Sequence, residues 1–403
     1  MAQYFTERLE KVFHMIFTSY NQEMAQEGLR QLELIVNNQQ SPEQTKHQAL
    51  RNDMTTSLEN EIDTKEDALK IANNPESREI ADAYALLARI YAGPRFTWEE
   101  SNFPENNMRT YQCLHDSIRR CSPIGTLQAL RINGTITPTV EKDMLISFND
   151  AFRIVYDYAE QGDAFCQYII GNVFFWRDDD RISLARDMIT PPRLSWAKRI
   201  QQSLQKGSIQ ERISTLQGTV SDETLQENAT TFAKEWFNKA LNNGLAMFQG
   251  NLRNIYIDEG DFDNARRVAL TAAELGNPTM MLYTGLDCHE HGKFEDAFTW
   301  FTKGASLGQA ESTAELADYY YHFYDTKELR RLIPYNPVKA IGLYRRAATK
   351  HFSDAGYAAL QAAFGYIFHI GHLPLEWGLI ADLTHMAATK ERFIFSLPYI
   401  GYM

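Results

Sequence analysis

GLAMFQGNLRNIYIDEGDFDNARRVALTAAEL at residues 244–275 and GNPTMMLYTGLDCHEHGKFEDAFTWFTKGASL at residues 276–307 are two versions of one 32-residue theme. Gly244, Gly276 and Gly308 stand at equal spacing, and Tyr256 answers Cys288, Gly260 answers Gly292, Ala265 answers Ala297, and Ala273 answers Ala305. A fixed period of this length with Ala and Gly at its close-contact points predicts stacked helical hairpins. One hairpin is too small to bury its own apolar face, so neighbours must stack to build a continuous core.

Working outward, a third copy runs from Ala310 through Tyr320. It takes an extra 11 residues, Leu329 to Lys339, before Ala340 restores the register. A fourth, degraded copy spans residues 353–388. Upstream, Ala164 to Asn172 and Ala233 to Gly244 read as one copy split by an irregular insert at about 178–228. Apolar residues at helical spacing continue to the start of the chain: Leu9, Val12, Phe13, Ile16, Phe17 and Tyr20, then Leu29, Leu32, Ile35 and Val36. A polar stretch around Pro42 predicts a loop, residues 58–72 a charged helix, residues 81–90 a small-residue helix stopped at Gly93-Pro94, and residues 148–176 a hairpin turning at Gly162-Asp163. Strand signals are weak throughout. The reading is an all-α chain, with an irregular helical region at 1–147 and a repeat array at 148–403.

The pattern Leu252, Tyr256, Gly260, Ala265, Ala269, Ala272 resembles the tetratricopeptide family and its relative, the Sel-like repeat. Gly260 to Ala265 is similar to a tetratricopeptide inter-helix turn. Ala272 to Gly276, Gly304 to Gly308 and Arg346-Ala347-Ala348 are closer to Sel-like endings. The resemblance implies an α-solenoid whose first helix in each hairpin lines a concave face. Carried onto this chain, it places Met247, Asn254, Ile257 and Asp258 there in the first copy. The second copy contributes Thr279, Leu282, Leu286, His289 and Glu290, and the third Glu311, Asp318, Tyr321 and His322. Asn254, Asp258, His289, Glu290, Glu311, Asp318, Tyr321 and His322 are the binding candidates, with a chemistry suited to a basic or amide-rich peptide. Tyr320 takes the packing position of Tyr256, and Tyr321 faces the groove.

The charge balance, 40 basic against 52 acidic residues, argues against a surface that tracks phosphates, so no nucleic-acid partner is expected. No apolar run is long enough for a membrane helix and no signal-peptide core is read near Met1. A cytoplasmic protein is expected, with export lacking a cleavable signal left open. The 4 cysteines show no zinc spacing and read as small buried hydrophobes, the alternative being a Cys113–Cys121 disulfide.

Motifs with chemical overtones carry little. Consecutive Cys288-His289-Glu290-His291 point in different directions on a helix, so no metal is expected there, and Gly292 marks the helix end. His369-Ile370-Gly371-His372 matches the class I aminoacyl-tRNA synthetase signature in letters, but without that family's strand–helix context it reads as a helix ending at Gly371. Asp178 to Asp180 lacks a calcium-loop pattern and reads as a solvated turn. Tyr319, Tyr320, Tyr321, Phe323 and Tyr324 exceed what one helix stripe can bury, which suits partner contact. The resulting expectation is a non-enzymatic scaffold or adaptor holding a protein or peptide, without cofactor. The alternatives are a peptide-responsive regulator, or an enzyme with its site in residues 91–228, where His115, Asp116, Arg177 and Asp178 are the polar candidates.

Overall fold

A computed structural model describes residues 3–37, 64–93, 96–98, 101–132, 141–191, 196–206, 208–209, 220–247, 249–324, 326–350 and 354–390. Among them every regular element is helical. The loop read around Pro42 lies outside the described residues. The chain forms two compact units, Met1–Ala265 and Arg266–Met403.

In the first unit the helices are α1 (Glu7–Phe17), α2 (Gln22–Asn37), α3 (Lys65–Asn73), α4 (Pro75–Tyr91), α5 (Asn107–Arg119), α6 (Pro123–Ile132), α7 (Phe148–Glu160), α8 (Ala164–Phe175), α9 (Ser183–Ile189), α10 (Trp196–Ser203), α11 (Asp222–Asn242) and α12 (Gly250–Asp258). The division between units falls inside α13 (Phe262–Glu274). Packing runs mostly between successive helices: α1 on α2, α4 on α5 and α6, α6 on α7, and α7 on α8. The change of rhythm expected at residue 147 therefore lies within the first unit. Helix α8 packs on α11, the helix that follows most of the stretch read as the insert. Gly171 of α8 is what permits the approach: a Cβ there would lie 2.6 Å from the Phe237 ring of α11.

Two polar clusters are buried in this unit. Arg78 is fully enclosed and its Nε donates to Asp82 Oδ2 at 2.9 Å, while its other nitrogens donate to the carbonyls of Ala72 and Tyr4. Asp82 Oδ1 also accepts from Ser122 Oγ at 2.6 Å and Tyr4 OH at 3.2 Å. The second cluster corrects the solvated turn expected at Asp178 to Asp180. Asp178 and Asp179 are 5% and 1% exposed, and they are paired with Arg131 and with Arg177 and Arg186 respectively. Burial pushes the Asp178 carboxyl up to about 6, against the pull of Arg131. Acidic runs read as solvated only while their partners are unseen, and Arg131 lies 47 residues from Asp178.

The second unit contains α14 (Pro278–Glu290), α15 (Phe294–Ser306), α16 (Ala310–Tyr321), α17 (Lys327–Leu332), α18 (Pro337–Ala348), α19 (Ala355–Ile367) and α20 (Trp377–Lys390). They stack in order, each main helix on the next, with the short α17, placed in the 11-residue insertion, set against α15. The repeat glycines explain the rhythm. Gly244, Gly276 and Gly308 have φ of 91°, 101° and 93°, a left-handed conformation that a side chain resists. Around Gly276 the amide of Asn277 donates to Ala272 O and that of Gly276 to Ala273 O, both at 3.0 Å, a Schellman ending. Asn277 then caps the next helix by accepting from the Met280 amide at 3.0 Å.

The core of this unit is built from Ala and a few large side chains. Leu282, Ala297, Phe301, Leu316, Tyr319 and Ile333 form one cluster, and Ala317, Ala340, Ile341, Tyr344, Ala362 and Leu383 belong to another. A Cβ on Gly285 would stand 2.6 Å from the Phe301 ring, the same Gly–Phe approach as Gly171 to Phe237.

The helix ending after His289 is as expected: α14 stops at Glu290 and Gly292 turns left-handed with φ 73°. In the third copy the counterpart turn comes early. His322, with φ 56°, takes the left-handed position two residues before the repeat would place it. In the same copy Tyr319 is the fully buried tyrosine, and Tyr320, assigned that role from the repeat, is only half-buried with its hydroxyl accepting from Lys339 Nζ at 2.7 Å. The His369–His372 segment is a 3-10 turn following a helix that ends at Ile367, four residues before the expected stop.

Candidate functional site

The strip with the richest chemistry lies on α14 and α16 of the second unit. These are the first helices of successive hairpins, and they touch. Glu311, Glu315 and Asp318 recur on α16 at the spacing of one helix face. Tyr324, just past α16, donates its hydroxyl to Glu315 Oε2 at 3.0 Å. Its ring lies 4.3 Å from that of His289, near the end of α14, and His289 Nδ1 hydrogen-bonds Tyr319 OH at 2.7 Å. Glu290, exposed, follows His289. A continuous path therefore joins the acidic face of α16 to the end of α14 through two tyrosines and an imidazole.

Electrostatics follows from burial. Desolvation raises the Glu315 carboxyl, with the Tyr324 hydrogen bond opposing. Desolvation lowers His289, with Glu290 opposing. Asp318 is pushed up to about 7 by burial, against hydrogen bonds from Tyr344 and Tyr357. The rings of those two tyrosines meet edge to face.

The eight residues picked out by register are placed differently from one another. Asn254 and Asp258 are exposed on α12, in the first unit. Of the six in the second unit, Glu290 is exposed, while His289, Glu311, Tyr321 and His322 are half-buried. Glu311 accepts from Gln309 Nε2 at 2.9 Å, Tyr321 lies against Tyr335, and His322 Nε2 donates to the Ile333 carbonyl at 2.8 Å. Asp318 is the departure: it is 7% exposed and turned toward Tyr344 of α18 rather than toward solvent. The early stop of α16 leaves this last turn packed between its neighbours. Glu315, Tyr344 and Tyr357 were not among the sequence candidates. The Glu311–Glu315–Asp318 spacing could have flagged the first, whereas nothing local marks the tyrosines.

The polar candidates of residues 91–228 separate into different pairs. His115 Nε2 meets Asp143 Oδ2 at 2.7 Å under a stacked Tyr111, Asp178 meets Arg131, and Arg177 meets Asp179. Among the described residues no group of three or more His, Cys, Asp or Glu could hold a metal ion, and no helix is long and apolar enough to cross a membrane. Cys113, Cys121 and Cys166 are free and buried, and Cys288 is free and half-buried, so the alternative disulfide is not formed.

The solved structures similar to this chain include two helical repeat proteins. One is a Sel1 repeat protein from Oxalobacter formigenes, 14% identical, covering 94% of this chain and 81% of that one with a TM-score of 0.41. The other is a protective antigen of uropathogenic Escherichia coli displaying an SLR fold, also 14% identical, covering 80% and 79% with a TM-score of 0.31. No family model and no curated protein matches the chain.

Proposed function

We propose that the protein is a non-enzymatic interaction module whose second unit holds a basic peptide segment along the α14–α16 strip. The observation that carries this is the path Glu311–Glu315–Tyr324–His289–Glu290, in which two half-buried carboxylates and one exposed one flank two aromatic rings. Carboxylates recognise lysine and arginine by charge, and aromatic faces add contact area and cation–π attraction. Stacked hairpins offer a long open surface rather than a closed chamber, which suits binding better than catalysis. A cytoplasmic setting is part of the same proposal, since three buried free thiols fit a reducing compartment.

Fluorescence anisotropy with a labelled Lys/Arg-rich peptide and its Asp/Glu-rich counterpart tests this. The basic peptide should bind, and binding should weaken with salt. Replacing Glu290, Glu311 and Glu315 by Gln should weaken it about tenfold, taking roughly 0.5 kcal/mol per exposed charge, without changing helical content. Equal binding of both peptides would refute the proposal.

A further inference from the structure

Asp318 is an acidic side chain enclosed where three helices meet. On its own helix, Glu315 lies one turn earlier, and Tyr324 follows the helix end. From α18 comes Tyr344, fully buried, whose hydroxyl donates to Asp318 Oδ1. From α19 comes Tyr357, and just ahead of that helix stands Asp354. Both charged groups that act most strongly on Asp318, Glu315 and Asp354, are acidic. An ionised carboxylate there is opposed by like charges and by burial, and is supported only by neutral hydroxyls. The protonated carboxyl, by contrast, keeps acceptor capacity for a tyrosine and adds no charge.

We infer that Asp318, clamped between Tyr344 and Tyr357 and flanked by Glu315, is a pH-responsive interlock that holds α16 to α18 and α19 when protonated and loosens them when ionised. The sign is opposite to that of a salt-bridged aspartate. Asp318 binds its proton more tightly folded than unfolded, where its pKa is ~3.9. Its stabilising contribution is therefore complete below that value, declines as pH rises, and is gone above about 7. The interlock shares Glu315 with the α14–α16 strip, but its test needs no bound peptide, so the two readings can fail separately.

Hydrogen exchange of the full chain, followed by mass spectrometry on peptides from α16 and α18 and corrected for intrinsic exchange chemistry, reads the opening directly. With those two pKa values the opening constant should rise on the order of 100-fold between pH 5 and 8 and then level off. Asp318→Asn, which keeps an acceptor for Tyr344, should abolish most of that rise. A wild-type protein without the rise, or a variant that retains it, would overturn the inference. If Asp318→Asn fails to fold, two milder variants decide. Glu315→Gln removes a like charge and should move the midpoint to lower pH, whereas Tyr344→Phe removes a hydrogen bond to the carboxylate and should move it higher. Midpoints unmoved in both would equally overturn it.

Discussion

Gly285→Ala and Gly342→Ala make the same chemical change in the same unit, yet they should shift stability in opposite directions. Both glycines lie within helices, α14 and α18, so alanine recovers about 0.8–1 kcal/mol of helix propensity at each. At Gly342 a Cβ has nothing within 4 Å, and the gain stands alone. At Gly285 the Cβ would lie 2.6, 2.8 and 3.1 Å from three atoms of the Phe301 ring. That ring is 0% exposed and meets Tyr319 edge to face at 5.5 Å, so it has little room to retreat. Overpacking of this kind costs about 1–3 kcal/mol, which outweighs the propensity term. The expected result is a stabilisation of about 1 kcal/mol for Gly342→Ala and a net loss of up to about 2 kcal/mol for Gly285→Ala. Urea titrations followed by circular dichroism would measure both. Adding Phe301→Leu to Gly285→Ala should relieve the clash, so the two changes should be less than additive. If Gly285→Ala proved as stabilising as Gly342→Ala, the close approach of α14 and α15 would be wrong, and the hairpin packing inferred from the repeat would be wrong with it.

Two further sets of substitutions test features that reading by period alone missed. Tyr319→Ala should cost about 3–5 kcal/mol, as for large aromatics truncated in a core, and Tyr320→Ala clearly less, because only Tyr319 is fully buried; thermal melts of the pair decide, and the reverse order would restore the periodic register. Asp82→Ala should destabilise the protein by about 3–5 kcal/mol by leaving the Arg78 guanidinium buried without its charge partner. Removing both, as Arg78→Met with Asp82→Leu, should cost much less than the sum of the single changes, a difference that a double-mutant cycle reads directly.

What could be read from the sequence was what depends on near neighbours. A left-handed turn needs glycine whatever packs around it, so Gly244, Gly276 and Gly308 announce their turns in the sequence alone. The Ala positions follow in the same way, since a hairpin that must stack needs small residues at fixed intervals. Asp318 is the opposite case. Its burial depends on Tyr344, 26 residues away, and on α16 stopping at His322. Histidine can adopt a left-handed conformation, but nothing in its identity demands one. The pairing that turns Asp178 inward was hidden for the same reason, because Arg131 lies 47 residues from it.

The place where the repeat departs from its rule is also where its chemistry collects. The second copy turns on Gly292, whereas the third turns on His322, two residues early, and then carries the insertion containing α17. The early stop comes two residues after Tyr319, which lies in the core. It also sends the following chain back so that Tyr324 reaches Glu315 and His289, while Asp318 meets Tyr344 and Tyr357 from the next two helices. In an array stabilised by nearest-neighbour contacts, a local departure strains only the adjoining hairpins. A binding strip and a titratable interlock can therefore both centre on the irregular third copy while the helices it touches keep their packing. On this argument, replacing His322 with Gly at its left-handed position keeps the early turn and should leave the fold intact, since glycine adopts that φ without strain. Placing the glycine at position 324, as Tyr324→Gly, would instead remove the hydroxyl that reaches Glu315 and the ring beside His289, and both the strip and the environment of Asp318 should change together.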